Sequence, residues 1–115
     1  MKKFILLLHE DLEKERGYAP EEMQKLIQEH MNWVEKLTSQ GNFLGGDGLV
    51  PDGVTIAGKE GLIKDGPYAA SKEIIGGYYL LQAASLEEVT EIAKECPCHH
   101  WGGVTEIRPI MDYDE

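Results

Sequence analysis

The chain opens on an apolar run, Lys3 to His9, in which Phe4, Ile5, Leu6, Leu7 and Leu8 follow one another without a polar residue. A short run with no alternation predicts a central strand, covered on both faces. Glu10 to Tyr18 (EDLEKERGY) is charged and predicts a solvated connection, able to order over a site as a lid. From Ala19 to Gln40 the pattern changes period. Met23, Leu26, Ile27, His30, Val34 and Leu37 recur in steps of three and four, the stripe of an amphipathic helix. Pro20 suits its first turn, Glu21 and Glu22 suit the positive end of its dipole, and Gly41 suits its stop. His30 lies inside the stripe, and Met31 and Trp33 read as packing or interface residues.

Phe43-Leu44 then starts a strand that Gly45-Gly46-Asp47-Gly48 bends or bulges. A glycine-rich loop cradles phosphate when a helix N-terminus follows it, and none follows here. Val54 to Ala57 and Leu62 to Lys64 flank Gly58-Lys59-Glu60-Gly61 and predict a hairpin. Asp65 to Glu73 has no apolar period and reads as an ordered loop, with Pro67 fixing one dihedral. Ile74 to Leu81 is apolar and aromatic and predicts a strand buried on both faces. Gly76 and Gly77 interrupt it, which marks a bulge or a close approach to the backbone.

Ser85 with Glu88 forms a capping box ahead of a second helix to about Glu95, with Leu86, Val89, Ile92 and Ala93 inward and Pro97 beyond its end. Val104 to Ile110 is the last strand, and Met111 to Glu115 an acidic tail.

The order strand, helix, strand and hairpin, strand, helix, strand predicts a ferredoxin-like α+β sandwich, an antiparallel sheet with two helices on one face. The other face needs cover. A second copy packed sheet to sheet supplies it, so a homodimer of the dimeric α+β barrel type is expected.

Composition narrows the partners. At 115 residues the chain makes one domain, residues 1–115, with 42% hydrophobic and 28% charged residues. Twenty-one acidic against 11 basic residues give a net charge of −10, which argues against nucleic acid or an anionic membrane as partner. No apolar run approaches membrane-spanning length, and His9-Glu10-Asp11 stands where a signal peptide would need small residues. A cytoplasmic protein is expected. Cys96-Pro97-Cys98-His99-His100 offers soft ligands, but in one contiguous run instead of two separated pairs, so no metal and no cofactor is expected.

Two readings stay open at the centre of the chain. His30 is either a core-edge histidine satisfied by one hydrogen bond or a general base. The loop either feeds a strand or places Asp65, Ser71, Lys72 and Glu73 at the rim of a pocket floored by Gly76 and Gly77.

The stretch DGPYAASKEIIGGYYLL resembles the signature of the YCII-related family, in its DGPF-domain branch, with Tyr68 where that signature has Phe. The opening strand, the helix with His30, Gly45 to Pro51 and Thr105 to Ile110 match the same pattern in order. The resemblance implies a ferredoxin-like fold and dimers formed through the sheets. It also implies a catalytic histidine and aspartate, which fall on His30 and Asp65. Gly66, Pro67, Tyr68, Ser71, Lys72, Gly76 and Gly77 are then the candidate substrate-binding residues. The expected function is a small-molecule enzyme using that pair for acid–base chemistry. The alternative is a non-catalytic dimeric module that binds a small ligand or regulates a partner. No Rossmann fingerprint, P-loop or nucleophile elbow is present.

Overall fold

The computed structural model describes residues 1–68 and 73–114. Its elements are β1 (Lys2–Asp11), α1 (Leu12–Arg16), α2 (Pro20–Ser39), β2 (Phe43–Gly48), β3 (Val54–Ala57), β4 (Leu62–Asp65), β5 (Glu73–Ala83), α3 (Leu86–Ala93) and β6 (Val104–Pro109). A 3-10 helix, Pro97–Trp101, lies between α3 and β6.

Four strands form an antiparallel sheet in the order β2-β5-β1-β6, the ferredoxin-like arrangement. β3 and β4 form a separate two-stranded hairpin between the second and third strands of that fold. The sheet is open in the single chain and does not close into a barrel.

The strands are more one-sided than their sequence implies. Burial alternates along β1 and β5, so among their side chains only Phe4, Leu6, Leu8, Tyr79, Leu81 and Ala83 are buried. They pack against Trp33 and Leu37 of α2, Val89 and Ala93 of α3, and Cys96 and Cys98. The opposite face carries Ile5, Leu7, Tyr78 and Leu80, all half-buried. The unbroken apolar runs therefore reflect two apolar faces, one of them under helices and the other open.

The buried side of α2 is rotated from the expected stripe. Leu26, Trp33 and Leu37 are buried, His30 and Val34 are half-buried, and Ile27 is 53% exposed. Leu86 is likewise exposed, because it sits in the first turn of α3. Ser85 Oγ accepts from Glu88 N at 3.1 Å, while Glu88 Oε2 closes the cap on Ala84 N at 2.6 Å.

The charged connection is more ordered than its composition suggests. β1 continues to Asp11, whose Oδ1 accepts from Glu13 N at 3.0 Å and Lys14 N at 3.3 Å and caps the short α1. The two expected irregularities of the sheet are present. β2 shifts register on β5 between Phe43 and Gly45, and β1 shifts on β5 between Leu8 and His9, opposite Gly76.

Candidate functional site

His30 projects from α2 onto β5. Its Nδ1 lies 2.5 Å from Tyr79 Oη, and the rings stack with centroids 5.9 Å apart. Trp33 and Phe43 meet the same tyrosine edge-on, at 4.9 and 6.3 Å. Burial lowers the proton affinity of His30, against a smaller opposing pull from Glu29. Its imidazole is therefore neutral at pH 7. Burial, with Cys96, Cys98 and Glu10 nearby, pushes Tyr79 upward, so it stays a phenol. His30 Nε2 makes no hydrogen bond among the described residues.

Asp65 does not pair with His30 in this chain. It is exposed at the end of β4, opposite Val54 in the hairpin, and no hydrogen bond or ion pair joins it to His30. The helix packs on the sheet, whereas Asp65 belongs to the separate hairpin. Gly66 ties the loop to that hairpin: its N donates to Gly53 O at 2.8 Å, and its O accepts from Thr55 Oγ1 at 2.9 Å. Its φ of +91° suits glycine. Pro67 is exposed and Tyr68 is 82% exposed. Ser71 and Lys72 lie outside the described residues.

The glycine pair is not an empty floor. A Cβ on Gly76 would stand 2.1 Å from Glu10 Oε2, and one on Gly77 would stand 3.2 Å from Asp47 O. Glu10 fills the first space and the backbone of β2 the second.

Glu10 belongs to a cleft that also takes in Lys14, Glu15, Tyr18, Cys98 and Trp101. Burial, then a hydrogen bond to Glu15 and its charge, push the Glu10 carboxyl up to about 8. Glu10 thus keeps its proton at neutral pH. Trp101 holds the wall together: its carbonyl accepts from Lys14 Nζ at 3.1 Å and Tyr18 Oη at 3.3 Å, and its Nε1 donates to Glu29 Oε2 at 3.2 Å. The free volume is about 20 Å³, room for one water. A second groove runs beside the N-terminus, lined by Lys2, Phe4, Leu86, Ile110, Met111 and Tyr113. Neither is lined by a sequence-predicted site residue.

Cys96 and Cys98 are buried free thiols, while His99 and His100 are exposed. His99 is engaged by Thr105 Oγ1 at 2.9 Å and Lys94 O at 3.3 Å. Among the described residues no cluster of three or more His, Cys, Asp or Glu is placed to hold a metal ion.

Sequence reasoning missed Glu10 and Tyr79 as members of polar sites. The one available signal was an acid directly after the apolar run of β1, with a glycine pair in the neighbouring strand.

The open antiparallel sheet with its helices on one face is a ferredoxin-like α+β fold. The YCII-related domain matches residues 3–114, and the chain belongs to that family. A solved structure of 5-chloro-2-hydroxyhydroquinone dehydrochlorinase from Burkholderia phenoliruptrix AC1100, in complex with 2,5-dihydroxybenzoquinone, is similar at 16% identity over 96% of each chain, with a TM-score of 0.46. No curated protein matches the chain.

Proposed function

We propose that the protein is a small-molecule enzyme in which His30 takes a proton from the ligand as general base and Tyr79 orients the ring. One observation carries this reading. The imidazole is neutral, is held at Nδ1 by Tyr79, and leaves Nε2 without a partner among the described residues. Asp65 and its loop enter from the hairpin side. In this reading Asp65, Ser71 and Lys72 are the loop residues that meet the ligand.

The acting unit is a cytoplasmic homodimer. Ile5, Leu7, Tyr78 and Leu80 form an apolar sheet face that helices do not cover. Val54, Ile56, Leu62 and Ile63 of the hairpin are 58%, 64%, 69% and 69% exposed, and a lone two-stranded hairpin is marginal in water. A second copy covers both. Among the described residues no helix is long and apolar enough to cross a membrane.

A specific observation favours a second reading, a ligand-binding module without turnover: His30 is already satisfied by Tyr79, and among the described residues no carboxylate pairs with it. A library of small organic molecules, assayed for binding and turnover, separates the two. The enzyme reading expects a compound whose turnover drops roughly 10²- to 10⁴-fold in His30→Ala while fold and assembly persist. Undiminished turnover in that variant refutes the base. Binding with no turnover of any bound compound favours the module.

A further inference from the structure

We propose that Cys96 and Cys98 form a peroxide-reactive dithiol that closes reversibly into an intramolecular disulfide. The proposal stands apart from the role of His30.

The geometry brings the sulfurs together. Cys96 precedes the 3-10 helix, Pro97 occupies its first position, and Cys98 follows one residue on. Their Sγ atoms are 3.5 Å apart and share a hydrogen bond. A disulfide needs about 2.05 Å, so side-chain rotation over a short distance closes the bond.

Access selects the oxidant. Cys96 is 1% and Cys98 2% exposed, but Cys98 lines the cleft beside Glu10 and Lys14. With about 20 Å³ free, that cleft admits a molecule the size of water. Hydrogen peroxide, two oxygens long, is the oxidant nearest that size, and a peptide disulfide far exceeds it. Buried structural thiols are ordinarily inert, and two features set this pair apart. The hydrogen bond from Cys98 holds the Cys96 thiol below its usual range, which favours Cys96 as the sulfur that attacks the sulfenic acid; the same bond and burial push Cys98 up, so Cys98 reacts as the thiol and gives up its proton in the step itself. Glu10 faces the sulfurs as a neutral acid, not as an anion that would oppose thiolate formation.

The chemistry balances without another reactant. Cys98 sulfur attacks one peroxide oxygen. The O–O bond breaks, the departing hydroxide takes the Glu10 proton to become water, and the Cys98 thiol proton re-protonates Glu10. Cys96 sulfur then attacks the Cys98 sulfenic acid. The S–S bond forms, the S–O bond breaks, and the leaving hydroxide takes the Cys96 thiol proton to become the second water. Two thiols are oxidised by two electrons, and one peroxide is reduced to two waters.

The test treats the native protein with one equivalent of hydrogen peroxide, alkylates it after unfolding, and measures intact and peptide masses. The expected product is a chain lighter by two hydrogen atoms, with Cys96 and Cys98 in one cross-linked peptide and both thiols recovered by dithiothreitol. In Cys96→Ser the reaction should stop at a Cys98 sulfenic acid that dimedone traps. Both thiols still alkylatable, at a peroxide dose that oxidises free cysteine, overturns the proposal. So does over-oxidation of one cysteine with the other left as thiol, or a cross-link only between chains. The wild-type masses decide the matter even where the serine variant fails to fold.

Discussion

The Glu10 carboxyl group occupies the space that a side chain on Gly76 would require, with Oε2 2.1 Å from where that Cβ would be. Glycine in the middle of β5 weakens the strand, and the β1–β5 register slips at this point. The acid and the glycine therefore form a single feature: the strand gives up a side chain, and a carboxylic acid takes its place against the sheet.

Gly76→Ala should displace Glu10 without breaking the sheet, because the atom met first is the end of a flexible side chain. The expected loss is about 1–2 kcal/mol, the lower part of the overpacking range. In a Glu10→Ala background the same change should cost clearly less, since the space is vacant. Urea unfolding of the four proteins measures the coupling, and a coupling of zero would show that Glu10 does not hold this position.

Stability should carry the mark of the raised Glu10 pKa. Unfolded, the carboxyl releases its proton near 4.5; folded, near 8. Between these values the folded state holds the extra proton, so this contribution is full below pH 4.5 and is lost as pH rises through 8. His30 works in the opposite sense. Its folded value is lowered, so its contribution is present above 6.5 and is lost as pH falls. The difference between wild type and Glu10→Gln isolates the carboxyl. The variant should gain on the wild type steadily from pH 5 towards pH 8 in denaturant melts, and the difference should level off above that. A constant difference would mean an ordinary carboxyl at this position.

Much of the fold was legible because it rests on period and punctuation. The steps of three and four in α2, the Ser85 cap, the hairpin at Gly58 to Gly61 and the bulges at the glycine pairs all express local chemistry. What was not legible depends on partners distant in sequence. Trp33 displaced Ile27 from the buried side because the helix rotates to place the indole on Tyr79. Glu10 read as part of a solvated connection because nothing local shows that Gly76, in another strand, makes room for it. The His30–Asp65 pairing assumed that loop and helix share one sheet face, whereas among the described residues β4 pairs with β3 alone.

The open face predicts assembly. Sedimentation at micromolar concentration should show a dimer of the 12.9 kDa chain. Leu7→Glu places a charge at the centre of the apolar face and should shift the protein to monomer with its circular dichroism retained. A wild-type protein that sediments only as monomer would rule out the sheet-face dimer.

Tyr79→Phe should destabilise the fold by about 1–2 kcal/mol, since it strips the half-buried His30 of the hydrogen bond to its Nδ1. Thermal unfolding checks this, and a variant as stable as wild type would mean the bond contributes nothing net.

The central claim, that His30 is poised as a base, depends on which nitrogen carries the proton. A base needs a free lone pair on Nε2, so Nδ1–H must donate to Tyr79 Oη. A long-range proton–nitrogen NMR spectrum of the uniformly labelled protein at pH 7.5, with His30 assigned by its absence in His30→Gln, reads this directly. The expected result is a neutral ring with protonated Nδ1 and unprotonated Nε2, titrating below 6.5. A ring protonated at Nε2, with Tyr79 donating to Nδ1, or one still charged at that pH, would contradict the account.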